Sequence, residues 1–434
     1  MKSSVRKVIP GFKGFWEASA ILILFLNSSC TDSCEITHSY VSYQPVYLTT
    51  QEIRESVEYL PPQEINSPGR IYYKDDFLYI NEAGKGIHII DNRNPEQPQK
   101  VGFVNIPGNF DMAAKGNYLY ADSYVDLVVF DISDPSNVIE VNREFSVFAN
   151  YDFYVGLWDE NKGLIVEWEE SIVNQTFDSD CEMGNQIYYG DVAILAEGSF
   201  NKRMSGAPVN DTNSAGVGGS LAKFTIYDNY LYTINSWEMR LFDISNLTEP
   251  ETGAIIHLGW GIETLFPYGD KLFVGSSNGM HIYDNQNPES PVWLSTYEHI
   301  NSCDPVVVQG DYAYVTLRSG TECAGFTNQL DIVDISDLSD PQLHKTYPMQ
   351  NPHGLGIDGT CLFITEGEFG LKFFDASDVD NITLISHQQA LSAIDVIPLN
   401  DNLMVIGNDG FYQYEYDCET GAFNFLSSIS IIAL

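Results

Sequence analysis

Seven positions in this chain carry side chains that could converge and do chemistry: Arg70, Asp111, Lys223, Glu263, Asp304, His353 and Asp395. Each precedes a matching apolar landmark in its own segment: Leu78, Leu119, Leu231, Leu272, Ala313, Leu362 and Leu403. Loops further along the same segments add Glu82, Asp122, Arg318, Glu366 and Glu368. The residue type changes from segment to segment, whereas a position kept only for packing tends to repeat. Carboxylates gathered at one mouth can hold a cation such as Ca2+, and two of them can act as acid and base. Arg70, Arg318 and His353 would add contacts for a polar ligand. The candidate ligand-binding set is Arg70, Asp111, Glu263, Asp304, Arg318, His353, Glu366 and Asp395. No catalytic residue is assigned and no cofactor is implied, Ca2+ being the one metal the carboxylates suggest. The chain has no G-x-S-x-G, H-E-x-x-H, P-loop or dinucleotide fingerprint, and its eight His show no zinc spacing with a Cys.

The elements that must position these residues come from a recurring phrase. It reads DLVVFDISDP at Asp126–Pro135, MRLFDISNL at Met239–Leu247 and QLDIVDISDL at Gln329–Leu338, with weaker copies elsewhere. The aspartate of each copy falls at 91, 131, 243, 284, 334, 375 and 417. The steps are 40, 112, 41, 50, 41 and 42. A period of about 41 residues is the size of one four-stranded propeller blade. Each unit reads as four short alternating strands with Gly, Asn, Asp and Pro at the turns. Stacked radially, such units cover each other's faces. The expected fold is all-β, a seven-bladed β-propeller of four-stranded blades. An alternative is eight blades with one degenerate. The long step holds one unit plus 71 residues, read as an insertion at about 148–218. Its second half, residues 197–220, is rich in Gly, Ser and Asn and reads as a flexible loop. The repeated Asp reads as turn chemistry, accepting a hydrogen bond from an N–H two residues on.

The N-terminus reads as a targeting signal. Lys2, Arg6, Lys7 and Lys13 precede a short apolar run at Ala18–Leu26, too short to cross a bilayer. The run ends in LNSSC at Cys30, which resembles the lipobox of bacterial lipoproteins, and Cys34 is a second candidate. Residues 1–29 are then a signal peptide, 30–66 a tether and 67–434 the propeller. The strand phrases DLVVFDIS and QLDIVDIS resemble the LVIVD repeat, a propeller-type repeat family, and the layout is similar to Bacteroidota lipoproteins of that type. The resemblance implies a cell-envelope propeller held by lipid, most simply at the outer membrane of a Gram-negative bacterium. It implies no catalytic motif.

Lys and Arg number 21 against 60 Asp and Glu, a net charge of −39, which argues against nucleic acid as a partner. Cys30 aside, six cysteines remain. Cys303 and Cys323 are expected to pair and pin a long loop, Cys361 reads as a buried thiol within a strand, and Cys34, Cys181 and Cys418 stay unassigned. The insertion carries Trp158, Asp159, Glu160, Trp168, Glu169 and Glu170, which suit either a partner contact or packing on a blade. Two functions are consistent with these features. One is a non-catalytic binding or scaffold propeller that engages a protein or glycan. The alternative is an envelope hydrolase or lyase that uses the funnel carboxylates, with or without Ca2+.

Overall fold

The computed structural model describes residues 33–148, 158–159, 162–180, 215–299, 305–320 and 327–431. Cys30, Cys181, Cys303, Asp304 and Cys323 lie outside them, as do Glu160 and most of the insertion. Chain contacts divide the protein into two compact units, Met1–Val46 with Glu167–Ser199 and Tyr47–Val166 with Phe200–Leu434. In the first, the strands Ser33–Leu48 and Gly163–Asp180 are neighbours in one sheet. Thr37 meets Thr176, Ser39 donates to Asn174 and Ser171 donates to the Ser42 carbonyl, so the ribbon is antiparallel. Part of the stretch read as a tether is therefore strand.

The second unit is a seven-bladed β-propeller, each blade built from four consecutive antiparallel strands. Among the described residues there is no eighth blade. The innermost strands are Pro68–Lys74, Met112–Lys115, Phe224–Tyr227, Ile262–Tyr268, Val306–Gln309, Leu355–Asp358 and Ala393–Leu399. Each packs beside that of the next blade, and blade 1 meets blade 7 to close the ring. The second strands are buried on both faces, as at Leu119–Ser123 and Leu272–Ser276. Apolar residues at every position of such a strand feed the cores on either side of the blade, which explains the runs FLYI, YLYA and CLFI. In each blade the fourth strand slips its register once against the third, and in blade 1 Glu58–Leu60, which carries Tyr59, pairs outside the fourth. A bulge of this kind adds twist to the blade's outer edge.

The repeated aspartates do what turn chemistry requires. Six of them are the last residue of a third strand, and Asp417 directly follows one. All seven accept a hydrogen bond from the backbone N–H two residues on, at 2.8–3.2 Å. These bonds favour the charged form, and side-chain and main-chain donors hold Asp91, Asp243, Asp334, Asp375 and Asp417 below the usual carboxylate range.

The turns also carry the joints between blades. Four residues after each of the first six aspartates stands a carbonyl that a side chain of the preceding blade grips. Tyr59 donates to Pro135 O, Tyr120 to Leu247 O, Tyr232 to Pro288 O, Ser295 to Leu338 O and Tyr347 to Val379 O. At ring closure Ser427 and Gln413 of blade 7 both donate to Pro95 O, at 2.6 and 3.0 Å. Gln413 also exchanges two amide hydrogen bonds with Asn92. The joint from blade 6 to blade 7 departs from this scheme. There Cys361, opening the second strand of blade 6, is bonded to Cys418 in the turn after Asp417, with Cα atoms 5.4 Å apart. Cys361 is thus buried, as expected, but it is not a free thiol. The strand-by-strand reading missed the pair because its two halves belong to neighbouring blades.

The end of the insertion does not behave as a loose loop. Val217 and Gly218 pair with Tyr73 and Tyr72 on the axial edge of blade 1. Gly216 N donates to Ala114 O of blade 2, and Leu355 N of blade 6 donates to Ser220 Oγ. Ser220 N donates to Asp395 of blade 7. One segment touching four blades at their innermost strands runs along the propeller axis as a plug. Its glycines allow close approach. A Cβ on Gly216 would lie 2.3 Å from the Tyr72 ring, and one on Gly219 only 1.9 Å from the Asp395 carboxylate.

Three outcomes follow from these contacts. Tyr232→Phe should lower the free energy of unfolding by about 0.5–1.5 kcal/mol, and loss of both Cys361 and Cys418 to Ser by about 2–4 kcal/mol, in urea titrations of the oxidised protein. Gly219→Ala should cost about 1–3 kcal/mol and raise amide exchange at residues 215–222, because a buried carboxylate must move.

Candidate functional site

The face where inner strands begin also carries the turns between second and third strands. Arg70, Asp111, Asp122, Lys223 and Glu263 gather there on blades 1 to 4. Arg70 is buried. Its Nε donates to Leu221 O of the plug at 3.2 Å, its guanidinium donates to Phe110 O at 2.6 Å, and Asp111 lies 3.5 Å away. Asp111 accepts three backbone N–H groups, from Met112, Lys223 and Phe224. Asp122 accepts from Phe110 N, Asp111 N and the Asn109 amide, all on Oδ1. Burial pushes the Asp122 carboxyl up to about 7, with the Asp111 charge adding to it and the N–H donors and Arg70 opposing. Burial raises Asp111 too, against Arg70 and its backbone donors. Lys223 is half-buried. Burial and then the Arg70 charge push its ammonium down to about 8, while Glu263, Asp111 and Asp122 pull it back.

The sequence-derived candidates therefore separate. Arg70, Asp111 and Glu263 share one region with Asp122 and Lys223. Asp395 is fully buried beside the plug, accepting from Ser220 N and Val396 N. Glu366 is also fully buried. It is ion-paired to Lys372 at 2.6 Å and accepts from Gln350 N, which locks the entry to blade 6. His353 is half-buried, with Nε2 3.2 Å from the Asn351 amide. Arg318 is half-buried at the end of the second strand of blade 5, and Glu368 is exposed. Glu82 is buried against His88 at 3.1 Å and accepts from Asn66 N. Asp111, Asp122 and Asp395 are spent on main-chain N–H groups, and Glu366 on Lys372 and Gln350 N. None of these four faces open solvent. Among the described residues no three His, Cys, Asp or Glu converge to hold a metal.

The same face carries a feature that the sequence reading passed over. Trp237 sits in the turn between the second and third strands of blade 3. Trp260 sits in the crossover from blade 3 to blade 4. They are 42% and 64% exposed, with ring centroids 6.3 Å apart and planes crossing at 67°. The backbone holds both loops. Gly261 N and Ile262 N donate to Ser236 O, Leu258 N to Trp237 O and Ser277 N to Gly261 O. Trp237 N and Glu238 N both donate to the Asn235 side chain. Gly259 and Gly261 flank Trp260 at φ +104° and +82°, a conformation that presents the indole outward. Glu238 is ion-paired to Arg240 at 2.6 Å, with the exposed His257 ring 3.8 Å away. The G-W-G triplet in a crossover was the available signal. In the insertion, Trp168 is half-buried and Glu169 and Glu170 are exposed on the strand Gly163–Asp180. Among the described residues no helix is long and apolar enough to cross a membrane.

The LVIVD repeat family matches residues 110–144 and 302–348, which cover blade 2 and blade 5. No curated protein matches the chain. Among solved structures, the computationally designed Ika8 protein is similar at TM-score 0.49 and 10% identity, covering 87% of this chain and 92% of that one. BamB from Moraxella catarrhalis is similar at TM-score 0.47 and 9% identity, over 86% and 97% of the two chains. The periplasmic gluconolactonase PpgL of Pseudomonas aeruginosa is similar at TM-score 0.49 and 8% identity, over 84% and 97%. The chain carries LVIVD repeats and is a repeat β-propeller.

Proposed function

We propose that this protein is a binding propeller of the cell envelope, lipid-anchored through Cys30, that engages a protein or glycan without catalysing a reaction. The observation that carries this reading is the state of the entry face. The chain's own residues 215–222 bond to the innermost strands of blades 1, 2, 4, 6 and 7 around the axis. Asp111, Asp122 and Asp395, the carboxylates that would serve an acid–base pair, are consumed by backbone N–H groups. What remains open on that face is a rigid surface. The Cys361–Cys418 bond suits an oxidising compartment such as an envelope, and LNSSC supplies a cysteine for the lipid. At the outer membrane the acidic body would stand off from anionic headgroups, leaving the lipid as the membrane contact.

Mass spectrometry of the mature N-terminus should find diacylglyceryl-modified Cys30, and Cys30→Ala should release the protein to the soluble fraction. An unmodified Cys30 peptide in the mature protein removes the anchor from this reading. A structural Asp122 also has a pH signature. Its folded pKa of about 7 exceeds the unfolded value of about 4, so unfolding releases a proton between those limits. Its contribution is fully present below the unfolded pKa and is lost as pH rises through about 7. Asp122→Asn keeps the Oδ1 acceptor and should flatten that part of the stability profile between about pH 4 and pH 7. Turnover on a glycoside or ester panel that disappears in a folded Asp122→Asn or Asp111→Asn protein would instead establish an enzyme.

A further inference from the structure

We propose that the corner formed by Trp237 and Trp260 is a saccharide-binding site, and that its ligand is a neutral sugar. This rests on the binding reading above and gives it a place and a ligand class.

Exposed indoles set at 67° form a corner rather than a sandwich. The face of one ring is open to a flat apolar partner while the other walls its side. The C–H face of a pyranose is such a partner, apolar on one side and ringed by hydroxyls. The corner is pre-formed, because hydrogen bonds within the loops fix both backbones. A ligand docking there loses little affinity to ordering the protein.

Charge narrows the ligand class. The chain carries −39 overall, yet Glu238, the carboxylate next to Trp237 in the chain, is balanced. Glu238 is held by Arg240 at 2.6 Å and faces His257. The Glu238–Arg240 pair therefore adds no net charge beside Trp237 that would favour a cationic or an acidic ligand. His257, whose side chain is 84% exposed, offers a ring nitrogen for a hydroxyl.

Area argues against a protein partner here. At these exposures the two indoles present on the order of 250 Å². A standard protein interface needs about 800 Å² per partner. The corner's local N–H groups at Trp237, Glu238, Leu258, Gly261 and Ile262 are already bonded, so it offers no edge for an added strand. A patch of this size matches one or two sugar rings.

The test is a glycan array with the purified full chain, followed by titration calorimetry on the best neutral oligosaccharide. Neutral hexose or pentose glycans should bind, with uronic-acid and amino-sugar glycans at least tenfold weaker. Trp260→Ala and Trp237→Ala should each weaken binding at least tenfold with unchanged circular dichroism and thermal midpoint. Trp293→Ala should leave affinity unchanged, since that exposed indole begins an outer strand at the opposite face. Full affinity in folded Trp260→Ala and Trp237→Ala proteins overturns the site while sparing the binding reading, because the sugar then binds elsewhere. Preference for cationic over neutral glycans overturns the ligand class. No glycan binding by the wild type overturns the inference outright, and the binding reading then stands or falls on a protein partner.

Discussion

At six of its seven joints the ring depends on one carbonyl, four residues after the turn aspartate. A propeller blade has no covalent guide to its neighbour beyond the crossover loop, and apolar packing between sheets tolerates sliding. The turn aspartate fixes the local backbone by accepting from the N–H two residues on, and this aims the later carbonyl outward. A hydroxyl or amide of the preceding blade then reaches it. Each such bond contributes about 0.5–1.5 kcal/mol net, small beside the apolar cores at the same joints. Its value lies in the penalty for leaving it unmade. A blade shifted by one residue would bury an unpaired carbonyl and hydroxyl, at about 1–3 kcal/mol each. The bond therefore selects register, while the cores supply most of the stabilisation.

This account explains the odd joint. The blade 7 turn reads DCETG, and blade 6 presents Cys361 rather than a Tyr or Ser hydroxyl. The covalent bond to Cys418 takes the place of the hydrogen bond there. Tyr416 of blade 7 adds a 2.6 Å bond to Asp358 of blade 6. The joint is also lined by packed rings, with Phe363 4.7 Å from Phe373 and 4.9 Å from Tyr416. The first and last blades meet at the next joint, between blades 7 and 1. Blade 7 is complete from the C-terminal strands alone, so no strand is shared and closure falls to Gln413, Ser427 and Asn92. The staple sits one blade before the closure, where it limits fraying from the C-terminal end.

What could be read from sequence follows from where the information sits. The turn aspartates have a side-chain signature and a fixed period, so blade count and strand ends were legible. The gripped carbonyls have no side-chain signature, and their partners differ, being Tyr59, Tyr120, Tyr232, Ser295, Tyr347 and Ser427. Four of the six are Tyr, but they stand on different strands of their blades, so no single repeated position marks the joint. The plug was misread for another reason. Its glycines at 216, 218 and 219 look like flexibility, but at 216 and 219 they are there because a Cβ would strike Tyr72 or Asp395. Arg70, Asp111 and Glu263, read from sequence as ligand-binding candidates, lie on the face where the inner strands begin. Sequence shows a carboxylate, and only coordinates show that Asp111 already accepts three N–H groups.

The same accounting locates function. A buried charge is tolerated when hydrogen bonds replace its water, and Arg70, Asp111 and Asp395 meet that condition using the plug and neighbouring backbone. They are buried and hydrogen-bonded at the axis, so a ligand would have to displace those bonds to reach them. The rim of the same face carries no such cost. Trp237 and Trp260 leave apolar surface in water although the adjacent loops satisfy their own polar groups. Removing that surface from water is favourable by roughly 25 cal/mol per Å². Of the two places on the entry face, a ligand gains at the rim what it would have to give up at the axis. The indole corner is therefore where binding should be sought.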